Sequence, residues 1–310
     1  MKKKIILDVD TGVDDAVGII LAIKSDQFDI LGITTVSGNV SLDTATKNTC
    51  KVVDLVDAKS ISIVKGASSP LLRRPFFEHR IHGEDGLGGA LKNTVVTKQA
   101  DEGFAADFIV HSILSNPGEV TLVCTGPLTN LALALKKCPN IAGLVKKVIF
   151  MGGVIFDCGN VTPAAEYNMY VDPEAAKIVF YAGFRELTQV GLNVTRKVLL
   201  TDAHIKRIKN QKLQDFVQAC TDDYQQRYYE RHGILGCAMH DPLAVAVAIE
   251  KSLVKTEHYY VDIETNSSLC DGQLICDKQN RLSKTKNIKV CTEVDAEAFF
   301  EMFIRMMNAS

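Results

Sequence analysis

The sequence predicts an α/β fold: one large domain over residues 1–310, with a mainly parallel, Rossmann-like open sheet flanked by helices and a small C-terminal antiparallel element. Three observations carry this. Short β-rich runs alternate with helix-length amphipathic segments from the first residues onward, which is the grammar of βαβ units. The strand segments are almost continuously apolar, as strands covered on both faces are. Hydrophobic residues make up 46% of the chain and charged residues 23%, and no Pro/Ser/Gly-rich linker interrupts the pattern, so one extended core can form.

The apolar run over 4–9 reads as the first strand, and Asp14 and Asp15 suit the first turn of a helix over 13–24. A strand over 30–36 and a helix over 42–56 repeat the unit. A strand near 61–64, a helix near 103–114, a strand over 119–124 and a helix over 128–136 continue it. Next come a strand over 147–151, a helix over 173–181 and a strand over 187–190. The chain then turns helical from about 202 to 231. A helix over 242–249 follows Asp241, which reads as an N-cap before Pro242. Residues 254–290 read as antiparallel hairpin material, closed by a helix over 294–306. The longest irregular stretches are 66–97, with His79, His82 and four glycines at 83, 86, 88 and 89, and 152–171. Long loops in compact domains often serve as lids or binding loops.

The 35 basic and 37 acidic side chains leave a net charge of −2, and no basic run extends beyond Lys2, Lys3 and Lys4. That argues against nucleic acid or an anionic membrane as partner. No apolar stretch reaches the roughly 18–20 residues needed to span a bilayer, and the run at Ile5, Ile6 and Leu7 is too short for a signal sequence. The expected location is cytoplasmic. Nine scattered cysteines, never spaced Cys-x-x-Cys, suggest neither a disulfide framework nor a thiolate zinc site.

The strongest local signal is Asp8-Val9-Asp10-Thr11-Gly12-Val13-Asp14-Asp15, four carboxylates within eight residues at the first strand–helix junction. Such crowding raises each pKa unless a cation sits among the acids or helix N-terminal amides donate to them. Carboxylates without nearby Cys or paired His favour a hard ion, Ca²⁺ or Mg²⁺. Simple capping would use one or two acids, not four. An EF-hand is excluded, because the loop positions that should hold Gly and Glu are Val13 and Ile19.

Ligands of open parallel sheets bind outside the carboxyl ends of the strands. Polar residues collect at those ends here: Ser37-Gly38-Asn39, Thr125 through Asn130, the loop from Asn160 to Asn168, and Met239-His240-Asp241-Pro242. Taken singly, Asn39, Asn130, Glu166 and Asn168 read as turn, cap or solvated-loop residues. Their joint placement beside the acids points to a site.

As a set, these residues resemble the inosine-uridine-preferring nucleoside hydrolases. The resemblance spans most of the chain and rests on six motifs in order. They are Asp8-x-Asp10-x-Gly12-x-Asp14-Asp15, Asn39, His82-Gly83-x-Asp85-Gly86-Leu87-Gly88, Gly126 through Asn130, Asn160 through Asn168, and His240-Asp241-Pro242. It implies hydrolysis of the N-glycosidic bond of ribonucleosides by a Ca²⁺-bound water activated by Asp10. Asp10, Asp15, the Thr125 carbonyl and Asp241 would hold the Ca²⁺. Asp14, Asn160, Glu166 and Asn168 would grip the ribose, with Asn39 close by, and His240 would assist the leaving base. Water attack opposite the base implies inversion at the anomeric carbon. Val9 and Thr11 stand where many relatives have Thr and Pro, and no implied ligand is lost.

Trp is absent, so the Trp stacking of the purine-specific branch of that family is unavailable. His82, from the glycine-rich loop, and Tyr228, Tyr229, Arg231 and His232 are the candidates to close over the base. Adjacent helical residues point about 100° apart, so one of the two tyrosines faces the site. His79, His111, His204 and His258 read as structural. The resemblance leans towards uridine and cytidine, with some inosine, and towards a homodimer or homotetramer. Two other readings stay open. One is a catalytically silent nucleoside- or sugar-binding relative. The other is a phosphohydrolase with Asp8 as nucleophile, since Asp8-Val9-Asp10 loosely resembles the motif of haloacid-dehalogenase-type phosphatases.

Overall fold

The apolar run at Ile5, Ile6 and Leu7 becomes the centre of the molecule. In the computed structural model, which describes residues 2–309 and their side chains except those of Arg80, Arg231 and His232, it forms strand β1 (Lys3–Val9). Alternate residues of β1 point to opposite faces. Ile5, Leu7 and Val9 join one core, with α1 (Val13–Lys24) and, across β2 (Phe28–Thr35), α2 (Leu42–Leu55). Ile6 joins the other.

After β3 (Ile63–Lys65) and the single turn α3 (His79–His82), α4 (Ala105–Ser115), β4 (Thr121–Cys124) and α5 (Thr129–Lys137) build that second face. The short α6 (Ile141–Leu144), β5 (Lys147–Met151), α7 (Tyr167–Val171), α8 (Pro173–Phe180), β6 (Leu187–Val190) and α9 (Leu192–Thr195) follow. Residues 199–249 form β7 (Leu199–Leu200), α10 (Asp202–Ile205), α11 (Gln211–His232), β8 (Cys237–Ala238) and α12 (His240–Ile249). The chain closes with β9 (Val254–Tyr259), β10 (Val261–Ile263), β11 (Leu274–Cys276), β12 (Ile288–Val294) and α13 (Ala296–Met307). Among the described residues no helix is long and apolar enough to cross a membrane.

The main sheet has eight strands in the order β3-β2-β1-β4-β5-β6-β12-β9. Every pairing is parallel except β12 with β9. Strand order reverses between β1 and β4, and that switch point opens a crevice at their carboxyl ends.

Residues 254–290 are antiparallel as expected, in two places: β9 pairs with β12 at the edge of the main sheet, and β10 with β11 as a separate small element. The helical stretch 202–231 differs from expectation, breaking where Asn210 accepts the Leu213 N–H at 3.2 Å and starts a new helix. A further small antiparallel pair joins β7 and β8.

Candidate active site

β1 carries Asp8 and Asp10 to its carboxyl end, and the first turn of α1 adds Asp14 and Asp15. Asp15 caps its own helix. Its Oδ2 accepts from Gly12 N at 2.9 Å and Asn39 Nδ2 at 3.2 Å, and its Oδ1 accepts from Thr125 Oγ1 at 2.7 Å. Asp10 Oδ2 accepts from Asn39 N at 2.6 Å, while its buried Oδ1 has no hydrogen-bond partner. Glycines clasp this carboxylate: a Cβ on Gly38 would fall 2.0 Å from Asp10 Oδ2, and one on Gly126 would fall 3.0 Å from Oδ1.

Asp8 is tied to β2 and α5: its Oδ1 accepts from Thr34 Oγ1 at 2.5 Å and Asn130 Nδ2 at 2.8 Å. Like Asp10 and Asp15, it is absent from the cavity wall.

α12 supplies Asp241, so that Asp14, Asp15 and Asp241 each offer a carboxylate oxygen within 4.8 Å of the others. Burial, reinforced by the charge on Asp15, pushes Asp14 up to about 7 and Asp10 well above the usual carboxylate range. Burial and then the Asp14 charge do the same to Asp241. Burial outweighs the Asn130 and Thr34 hydrogen bonds at Asp8, pushing it to about 6. Buried, mutually repelling carboxylates are costly unless neutralised. An all-oxygen donor set with an orphaned oxygen on Asp10 fits a hard divalent cation.

Above the acids lies a cavity of about 660 Å³, within the size range of small-molecule sites. Asp14, Thr125 and Asp241 reach it from below, and Asn160, Glu166 and Asn168 line one wall. These three are tied together. Asn160 Oδ1 accepts from Tyr167 N at 2.9 Å, and Glu166 caps α7 while accepting from Gly153 N at 2.7 Å. Asn168 Nδ2 donates to the Thr125 carbonyl at 2.7 Å. That carbonyl, expected to be a metal ligand, keeps one further lone pair.

Asn39, His82, Tyr228 and His240 complete the expected lining. His82 Nδ1 accepts from Val13 N at 3.1 Å, packed where a Cβ on Gly12 would collide with it. His240 Nδ1 pairs with Thr195 Oγ1 at 2.7 Å. Burial lowers His82 to about 4 and His240 to about 3, which leaves both rings neutral at pH 7. Tyr228 lies edge-on to Tyr224 at 6.0 Å and reaches the cavity. Tyr229 is half exposed and is not in the wall. Arg231 and His232 lie outside the described side chains.

Sequence reasoning missed Glu78, Tyr167, Arg196, Tyr224, Arg227 and Ile234, all in the wall. The signal for Tyr224 was its i, i+4 spacing to Tyr228, which puts both on one helical face.

A buried acidic floor at the carboxyl ends of a parallel sheet, under a wall of amide and carboxylate groups, defines an α/β enzyme for a small polyhydroxylated molecule. Residues 5–301 match the family described as inosine-uridine preferring nucleoside hydrolase. The chain is similar to the pyrimidine-specific ribonucleoside hydrolase RihB of Escherichia coli (strain SE11), at 34% identity over 96% of this chain and 95% of the relative. Among solved structures it is similar to a plant nucleoside hydrolase, PpNRh1, with a TM-score of 0.92 and 31% identity over 100% of both chains. It is equally similar to a purine-preferring ribonucleoside hydrolase from Gardnerella vaginalis, with a TM-score of 0.91 and 34% identity over 99% of this chain and 98% of that one. The chain belongs to the inosine-uridine preferring nucleoside hydrolase family, and it is an N-glycosyl hydrolase of ribonucleosides.

Proposed function

We propose that residues 1–310 act as one domain that hydrolyses uridine and cytidine, and inosine more weakly, to ribose and free base with Ca²⁺ as cofactor. One observation carries this reading: Asp14, Asp15 and Asp241 bring carboxylate oxygens within 4.8 Å of one another where Asp14 and Asp241 line the cavity, and Asp10 beside them has a buried, unpartnered Oδ1. Asp10, Asp15, Asp241 and the Thr125 carbonyl are the residues to hold the ion. When bound, Ca²⁺ anchors the ribose hydroxyls and makes a neighbouring water more acidic.

The protein's own groups do the rest. Asp10 accepts the proton of the attacking water. Asp14, Asn160, Glu166 and Asn168, with Asn39 beside them, bind the ribose hydroxyls and favour the positive charge that builds on the sugar in the transition state. Water arriving on the face opposite the base inverts the anomeric carbon. His240, neutral and steadied by Thr195, donates a hydrogen bond to the departing base, while Tyr228 and His82 confine it.

The missing Trp and the pyrimidine-specific Escherichia coli relative support pyrimidines. The Gardnerella relative, at the same identity, supports keeping inosine among the substrates. Assembly into a homodimer or homotetramer rests on the family resemblance. A reducing-sugar assay across uridine, cytidine, inosine, adenosine and 2′-deoxyuridine tests the reading. Ribose release from uridine and cytidine, with the deoxy substrate slow, is the expected result. No release from any ribonucleoside would refute it.

A further inference from the structure

The loop between β5 and α7 brings Asn160 to the cavity wall and then turns back on itself. Several of its hydrogen bonds are internal: Gly159 N donates to the Pro163 carbonyl at 3.0 Å, Asn160 N to the Ala165 carbonyl at 3.1 Å, and Ala165 N to Thr162 Oγ1 at 2.9 Å. Bonds of that kind give a loop its shape without fixing where it sits. The Asn160 side chain spends its Oδ1 on Tyr167 N, which leaves its Nδ2 as the group to offer a ligand.

Arg196, directly after α9, grips the tip of this loop. Its Nη1 donates to the Cys158 carbonyl at 2.8 Å and to Asp157 Oδ2 at 3.2 Å, and its Nη2 donates to the Gly159 carbonyl at 2.9 Å. The ion pair with Asp157 is partly exposed and contributes little, whereas the two carbonyl bonds are charge-assisted. A planar guanidinium serves two successive carbonyls at once, which a single ammonium on a flexible stem does not match. The preceding residue, Thr195, is buried and pairs with His240 Nδ1. Two consecutive residues at the end of α9 thus hold the ribose side and the base side of the cavity. The positive charge of Arg196 also acts through space on Glu166 and His240, an influence separable from its bonds by keeping the charge and removing the fork.

We propose that Arg196 is a positioning residue for Asn160. Its guanidinium clamps the carbonyls of Cys158 and Gly159 against α9 and so keeps the ribose-binding wall in register with His240. The kinetic part rests on the nucleoside-hydrolase reading above, and the mechanical part does not.

Arg196→Met removes the fork and the charge, and Arg196→Lys removes the fork alone. Hydrogen exchange on the full chain should show amides of 159–162 exchanging about five- to tenfold faster in Arg196→Met, the scale of one hydrogen bond, with amides of β5 unchanged. Wild-type exchange at 159–162 overturns the clamp whatever the activity shows. On uridine, kcat/KM should fall about five- to tenfold, divided between KM and kcat as in Asn160→Ala, and Arg196→Lys should recover less than half of the loss. Unchanged kcat/KM, or full recovery with Lys, overturns the proposal, since the charge and not the fork would then matter. In an Asn160→Ala background, Arg196→Met should cost less than about twofold more, because the loop then carries no amide to position, and full additivity overturns the link. The loss should be the same on a nitrophenyl riboside. A loss confined to uridine would place the effect on His240 and overturn the proposal as well. If the wild-type chain releases ribose from neither substrate, the hydrolase reading fails and the exchange result alone decides the clamp.

Discussion

Asn39 N donates to Asp10 Oδ2 at 2.6 Å, and the other oxygen of the same buried carboxylate has no donor. One oxygen is thus fixed by the backbone while its twin is buried without a partner beside the acids that line the cavity. Replacing Asp10 with Ala should lower kcat on uridine by about 10²–10⁴-fold, the range for a general base. The circular dichroism spectrum and melting temperature should stay close to wild type, because an unneutralised buried charge is lost. Near-normal turnover would remove Asp10 from the reaction.

Gly38 has no room for a side chain. A Cβ there would lie 2.0 Å from Asp10 Oδ2, so Gly38→Ala must displace the carboxylate or the loop. Urea unfolding should show a loss of about 1–3 kcal/mol, typical of overpacking, together with a large drop in turnover. Gly143→Ala, in α6 with nothing near the added Cβ, should be neutral or slightly stabilising. Equal behaviour of the two variants would contradict the close packing around Asp10.

His240 tests leaving-group assistance. Burial pushes its ring down to about 3, so the role proposed for it is that of a neutral hydrogen-bond donor to the departing base. His240→Ala should cost about 10²-fold or more on uridine and far less on a nitrophenyl riboside, whose leaving group needs no help. Comparing kcat/KM for the two substrates decides the point, and equal losses would count against the role.

The two tyrosines of α11 should separate cleanly. Tyr228→Ala removes part of the cavity wall and should raise KM for uridine several-fold. Tyr229→Ala, at a position 49% exposed, should leave both constants within about twofold, as surface substitutions usually do. A reversed pattern would place the wrong ring against the base.

Local periodicity made most of the main sheet legible, since strands such as β1 and β5 carry unbroken apolar runs (Ile5 to Leu7, Val148 to Met151) and their helices are long enough to show a face. The joining of the antiparallel edge to that sheet was not, because β12 pairs with β6 and β9 through contacts distant in sequence, which local pattern does not encode. Helices of four or five residues, such as α3 and α7, are too short for periodicity to register. At the site, Asp10, Asp14 and Asp15 stood out with Asp8 because crowded acids have few structural reasons to exist, whereas Asp241 alone reads as an N-cap before Pro242 and joins them only through the family resemblance. Arg196 and Glu78 carry no such pattern. Tertiary folding alone brings Arg196, bonded to the carbonyls of Cys158 and Gly159, beside the loop that bears Asn160.

The most direct test of the acid floor is thermal unfolding of chelator-treated protein titrated with Ca²⁺ at two pH values. A ligand at about 100 times its Kd adds about 2.7 kcal/mol, so a clear rise in Tm is predicted at pH 7.5. Asp14, at about 7 in the metal-free fold against 3.8 as its ordinary value, together with the raised Asp10 and Asp241, weakens the protein when ionised. That penalty is full above the raised pKa, shrinks as pH falls through it and is gone only below the ordinary value of 3.8, and over that window protons compete with the ion. The Ca²⁺-induced rise should therefore shrink towards pH 5.5 and vanish in Asp241→Asn. No rise at pH 7.5, or a full rise in Asp241→Asn, would contradict the account.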